Sequence, residues 1–154
     1  MRGSFALKAF GSEATMAERQ DWNRQIIEEF RANAGKVGGP FVNTPLLLLH
    51  HTGARTGTVR INPVAYQALE GGGFAVFASK GGAPTNPDWY HNLVAHPGAR
   101  VEVGTETFDV TARVATGEER ERIWTEQKRR IPGFAEYERR TPRQIPVVIL
   151  EPTP

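Results

Sequence analysis

The chain has no cysteine, which excludes disulfides, thiolate-bound zinc, iron–sulfur ligation and a cysteine nucleophile. It carries little net charge. Nineteen Lys and Arg against 17 Asp and Glu leave +2, which gives no argument for a nucleic-acid partner. It has no long hydrophobic run. The longest, PLLLL at 45–49, has the length of a strand and falls far short of the roughly 20 residues that span a bilayer. The opening MRGSFALKAF lacks a sustained apolar segment and so lacks a secretory leader, which points to the cytoplasm. No Gly-x-Ser-x-Gly elbow, Walker sequence or Gly-x-Gly-x-x-Gly turn occurs, which argues against the usual phosphate-loop nucleotide folds. Metal-ligand spacing is also missing. His50 and His51 are adjacent, so in a strand they point to opposite faces. His91 and His96 are five apart, not the three or four that share a helix face. No metal is expected.

What is present is ordinary globular composition, 39% hydrophobic and 23% charged over 154 residues, enough for one domain with its own core. Residues 1–15 read as a disordered tail or as an added extension ahead of a start at Met16. A sharper alternative is a short interfacial anchor using Phe5, Leu7 and Phe10 beside Lys8. The domain is therefore expected over 16–154. Trp22, Ile26, Ile27 and Phe30 recur at helical spacing, so 17–34 reads as an amphipathic helix. Strands follow at 45–51, 59–69 and 74–79, the last two joined by a hairpin at Gly71, Gly72 and Gly73. Pro63 inside the second strand removes a ladder donor and signals an edge, a bulge or an opening. Asn86 is placed to cap a helix over 88–96, with Pro87 at its first position. A second hairpin occupies 99–114 about Gly104. Thr116 and Glu119 have capping-box spacing and open a helix to about Arg130. A short turn or helix follows, and a last strand lies at 145–150. Hairpins dominate, so the expected class is α+β with a largely antiparallel, barrel-like sheet flanked by helices.

The candidate chemistry lies where cations meet glycine-rich loops. Arg55 sits between Gly53 and Gly57, Arg60 opens the second strand, and Lys80 precedes Gly81 and Gly82. If the second and third strands form a hairpin, their far ends bring these three cations to one rim over free backbone amides. Such a rim suits a phosphate or several carboxylates.

Four blocks, EFRANAGKVGG (29–39), PLLLLHHTGARTGTVRINPV (45–64), FASKGGAPTNPDWYHNLVAHP (77–97) and TPRQIPVVILEP (141–152), resemble the deazaflavin-dependent nitroreductase family, whose members use coenzyme F420. The order and separation of the blocks match too. The resemblance implies a split β-barrel with a mostly antiparallel six-stranded sheet, and reduced F420 as hydride donor. It implies a phosphate-binding loop at Ala54, Arg55 and Thr56. It further implies a lining strand of Arg60, Ile61, Asn62, Pro63, Val64 and Ala65, with Asn62 and Pro63 at the ring system. Phe77, Ala78, Ser79 and Lys80 match the next lining strand. Asp88, Trp89, Tyr90, His91 and Asn92 match a closing helix.

The implied reaction is hydride transfer to an electron-poor small molecule, for which Ser79 and, from a lid segment, Tyr137 are the candidates to contact the acceptor. Relatives that reduce nitroimidazoles surround the acceptor with tyrosines. Here the matching positions are Ala65, Ile131 and Phe134, with only Tyr137 retained. That apolar pocket favours a quinone, an enone or an unsaturated lactone over a nitro compound. His50 and His51 replace the threonines that usually precede the glycine loop. A non-catalytic F420 carrier, or an FMN-dependent oxidoreductase on the same barrel, are the alternatives. A monomer is favoured, and a quinone acceptor would add peripheral contact with a membrane.

Overall fold

A computed structural model describes residues 15–154. The tail expected at the amino terminus, with its alternative reading as an anchor, lies outside the described residues apart from Thr15. The chain runs α1 (Met16–Ala32), β1 (Leu46–Thr52), β2 (Val59–Ala68), β3 (Phe74–Phe77), α2 (Asp88–Ala95), β4 (Gly98–Val103), β5 (Glu106–Val114), α3 (Gly117–Arg130), α4 (Gly133–Arg140) and β6 (Val147–Pro152). The strands close into a barrel in the order β1-β2-β3-β6-β5-β4. Every neighbouring pair is antiparallel, as the run of hairpins implies.

Strand periodicity assigns the two faces. Leu47, Leu49, Val76, Val101, Val110, Val148 and Leu150 fill the barrel, and Trp89 and Leu93 of α2 close one side of that core. The intervening residues point outward. Leu46 and Leu48 pack under Ile26 and Phe30 of α1. Ala75, Phe77, Val147 and Ile149 pack under Ile123, Trp124 and Phe134 of α3 and α4. Three strands are thus buried on both faces, which is why PLLLL, FAVF and VVIL are continuous apolar runs rather than alternating ones. Phe77, Trp124 and Phe134 form a ring triad with centroids 5.6–6.2 Å apart.

Two expected helix caps are not formed. Pro87 occupies the N-cap position of α2 in extended geometry. The Asn86 carboxamide instead accepts a 2.6 Å bond from Arg143 Nη1. Thr116 makes no side-chain cap to α3, and the Glu119 carboxylate that would return the reciprocal bond of a capping box is held in a two-pronged ion pair with Arg113 at 2.8 and 2.9 Å. A capping box does form at α1, where Thr15 Oγ1 accepts from Glu18 N–H at 3.0 Å. The short piece after Arg130 is a helix, α4, whose Tyr137 and Arg140 lie against the turn that follows β3.

Candidate active site

The site begins with a gap in the sheet. β2 pairs with β1 along the whole of Leu46–Thr52 but with β3 only from Tyr66 to Ala68. Tyr66 N–H donates to Pro45 O at 3.1 Å. Alternation then turns the even-numbered backbone groups of β2 toward β1 and those of Ile61, Pro63 and Ala65 toward the side where the β3 ladder has ended. Pro63 therefore lacks its N–H on the unpaired side, where the loss leaves the β1 ladder intact. Of the three possibilities that proline signalled, the opening is the one realised.

Alternation also divides the expected lining strand between two faces. Leu49 faces Asn62 and Leu47 faces Val64 across the ladder, so Arg60, Asn62 and Val64 share the inner face. Ile61 and Ala65 face outward and pack against the α1 cluster, and Ala65 also touches the α3–α4 cluster. A strand from Arg60 to Ala65 therefore lines a ligand with some residues through their side chains and others through their backbone. The open edge offers the side chains of alternate residues and the backbone groups of Ile61, Pro63 and Ala65.

Antiparallel neighbours put the end of β1, the start of β2 and the end of β3 at one end of the barrel. Arg55, Arg60 and Lys80 all lie at that end and are exposed. Among the described residues none of the three forms an ion pair, a state they share with Arg19, Lys36, Arg122, Arg140 and Arg143, whereas Arg24, Arg31, Arg113 and Arg129 do. The supposedly bare amides need correcting. Gly53 N–H donates to Thr58 O, Gly57 N–H to Gly53 O, Gly82 N–H to Ser79 O and Ala83 N–H to Lys80 O, at 2.8–3.1 Å. Ala54 N–H donates to Asn92 Oδ1 at 2.9 Å. These loops use such donors to hold their own shape. Lys80, Gly81 and Gly82 are three successive residues in the left-handed region, with φ of +48°, +63° and +85°. For Lys80 that conformation is strained.

Arg143, to which the sequence attached no role, fixes this turn. Its guanidinium donates to Ala78 O (3.1 Å), Ser79 O (3.0 Å), Ala83 O (3.1 Å) and Asn86 Oδ1. Partial burial pulls its pKa below the usual arginine value, yet an arginine remains charged. The sequence signal was an arginine beside Pro142 in an otherwise apolar closing segment. α4 lies over the same turn, with a Cβ built on Gly82 meeting Arg140 Cβ at 2.9 Å and Tyr137 O at 3.0 Å. Ser79 and Tyr137 are thus carried on neighbouring elements. Ser79 is 8% exposed and Phe134 is 6% exposed. Tyr137 and Ile131 are half-buried beside Phe134, with the Tyr137 ring edge-on to Phe134 at 5.3 Å.

On α2, Trp89 is committed to the barrel core, Tyr90 is half-buried, and Asp88 and His91 are exposed. Asn92 turns inward to His51 with Nδ2 3.0 Å from His51 Nδ1, and His51 Nε2 is 2.7 Å from Asn62 Oδ1. Burial pushes the His51 pKa down, against the opposing bond to Asn62. His50 points the other way, to Glu102 at 2.6 Å, so the two histidines do take opposite faces. Two hollows flank the barrel, the first at this same end and the second at the opposite one. One of about 190 Å³ is lined by Tyr90, Leu93, Val94 and Ala112. A groove of about 1000 Å³ runs between the β2–β3 turn and α3.

A family model described as F420H2-dependent quinone reductase matches residues 22–152. The F420H2-dependent quinone reductase Rv1261c of Mycobacterium tuberculosis is 38% identical over 79% of this chain and 83% of its own length. Another M. tuberculosis protein, the putative F420H2-dependent quinone reductase Rv3178, is 34% identical over 70% of this chain and 90% of its own. Among solved structures, an F420-H2 dependent reductase (FDR-A) is 42% identical with a TM-score of 0.64, covering 70% of this chain and 94% of that one. A chain described as a domain-swapped dimer is 39% identical with a TM-score of 0.65, covering 86% and 99%.

Proposed function

Because the chain belongs to the F420H2-dependent quinone reductase family, we propose that its acceptor is a quinone or another conjugated apolar molecule, such as an enone or unsaturated lactone, held at the split in the barrel. The protein is an F420H2-dependent oxidoreductase with reduced F420 as its cofactor. When bound, the reduced deazaflavin supplies the hydride, so the protein's task is to bind, orient and exclude water.

The observation that carries this reading is the unpaired edge of β2 at the same end of the barrel as three exposed cations that have no ion-pair partner among the described residues. The chemistry of the donor set fits the group. Arg55, Arg60 and Lys80 suit an anionic phosphate and carboxylate tail. The edge from Ile61 to Ala65 offers a flat heterocycle both apolar side chains and backbone hydrogen-bonding groups. Across the turn, Ser79 presents a hydroxyl. Ala65, Ile131 and Phe134 leave the acceptor an apolar surround, with Tyr137 as its phenol. Apolar walls contribute by burial, roughly 25 cal/mol per Å², which favours an extended apolar acceptor. A hydroxyl from Ser79 or Tyr137 would stabilise the oxyanion that develops on a carbonyl acceptor. No helix among the described residues is long and apolar enough to cross a membrane.

The test is a fluorescence titration with oxidised F420, followed by mixing the reduced form with a soluble quinone, an enone and a nitroimidazole. Reoxidation is expected fastest with the quinone. Arg55→Ala and Lys80→Ala should each weaken binding by about 1–3 kcal/mol, from loss of charge-assisted contacts, with circular dichroism unchanged. Unchanged affinity in both variants refutes the anion site, and nitroimidazole outpacing the quinone refutes the acceptor assignment.

A further inference from the structure

The polar chain that crosses from the glycine loop through α2 and β1 to β2 has a direction. It begins at Ala54 N–H, a group that only donates, 2.9 Å from Asn92 Oδ1. That contact fixes the Asn92 carboxamide, so Nδ2 is what faces His51 Nδ1 at 3.0 Å. An amide nitrogen donates, so His51 Nδ1 accepts and carries no proton. The hydrogen of the neutral ring then sits on Nε2, which donates to Asn62 Oδ1 at 2.7 Å. The Asn62 carboxamide is fixed in turn, with Nδ2 pointing away from His51. Asn62 is half-buried, and its Nδ2 has no acceptor among the described residues. His51 is 1% exposed and Asn92 is 8% exposed, so neither has free water to choose another orientation.

We propose that His51 is a positioning residue that, through its Nε2–H tautomer, locks Asn62 so that its amide NH2 is offered as a donor to an acceptor oxygen or nitrogen of the bound F420 ring system. This rests on the functional reading above, and it assigns His51 and Asn92 a purpose beyond packing. A protonated ring would place two donors face to face at Nδ1. Relieving that clash by turning Asn92 would sacrifice the Ala54 bond. The lock is therefore tied to a neutral imidazole. The charged and titratable groups that act on His51 are Arg60 from β2 and, from the opposite face of its own strand, His50, both disfavouring the cation, and Asp88 from α2, favouring it. Burial outweighs Asp88, so the ring stays neutral below the usual histidine range.

Two measurements test this. In the protein without cofactor, long-range 1H–15N spectra should show His51 as the Nε2–H tautomer, still neutral at pH values where free imidazole is half protonated, about 6.5. An Nδ1–H tautomer overturns the proposal. Binding of oxidised F420 is then followed from pH 5 to 8. His51→Gln keeps one donor and one acceptor but cannot titrate. It should bind within about twofold of wild type at pH 7 and lose the acid-side weakening that wild type shows. His51→Leu and Asn62→Leu should bind about five- to tenfold more weakly at every pH, as expected for one orienting bond. If wild type binds F420 and both leucine variants bind equally well while remaining folded, this inference fails and the functional reading stands. If wild type does not bind F420, the functional reading fails and takes this inference with it.

Discussion

Removing the Arg143 side chain should loosen the Lys80 turn more than any surface change nearby. The guanidinium is the common donor to three carbonyls, at Ala78, Ser79 and Ala83, and to the Asn86 side chain, at 2.6–3.1 Å. Bonds from a charged donor contribute about 1.5–3 kcal/mol each when counted singly. The four share one group, however, and that group is itself partly desolvated. Water can also rehydrate carbonyls in a half-exposed loop. The net cost expected for Arg143→Ala is therefore about 2–4 kcal/mol. For a domain of this size that corresponds to a fall in Tm of about 5–15 °C, read by circular dichroism at 222 nm. The strained φ of +48° at Lys80 is held by this guanidinium together with the turn's own bonds, Gly82 N–H to Ser79 O and Ala83 N–H to Lys80 O, so F420 affinity should fall in parallel. Arg143→Lys keeps the charge but loses the fork and should recover less than half of the loss. A variant melting within 1 °C of wild type with unchanged F420 affinity would refute the idea that the turn is held from outside itself.

Other consequences can be checked on the same material. Gly82→Ala places a methyl 2.9 Å from Arg140 Cβ and 3.0 Å from Tyr137 O at φ +85°. It should cost about 2–3 kcal/mol of strain and displacement. Gly57→Ala, with φ +71° and open space around it, should cost only about 1 kcal/mol; equal costs would mean that α4 does not press on the turn. Glu102 is held below the usual carboxylate range, chiefly by its bond from Arg31 and secondarily by His50. The stability it contributes is present above the unfolded carboxylate value of about 4.3 and disappears as pH falls through the lower folded value. Glu102→Gln should therefore cost about 1 kcal/mol at pH 7 and nothing once the wild-type carboxyl is protonated. A gap in urea midpoint that does not shrink as pH falls below the usual carboxylate range would contradict that account.

The elements could be read locally because their causes are local. Glycines set the hairpins at 71–73 and 104, and helical spacing of Trp22, Ile26 and Phe30 set α1. Two-sided burial wrote β1, β3 and β6 as unbroken apolar runs. The caps at Asn86 and Thr116 misled for a physical reason. Arg143 takes the Asn86 side chain itself, and Arg113 takes the Glu119 carboxylate that the capping box at Thr116 would need. Likewise, counting glycines around Arg55 and Lys80 showed where backbone amides were, but not that loop carbonyls and Asn92 had already taken several of them.

By itself, then, the sequence determined which residues seek the interior, where the chain turns, and that three cations stand beside flexible loops. Family likeness added the chemistry. Only the closed barrel decided where the β2–β3 ladder stops, which side of β2 lacks the proline's missing donor, and which cations remain without a counter-ion. It also decided that Asn92 meets a histidine 41 residues earlier and that Arg143 reaches back 64 residues to Ser79. Periodicity is a property of neighbours along the chain. Hydrogen-bond partners at such separations are chosen by the sheet order that brings them together, and no local pattern records that choice.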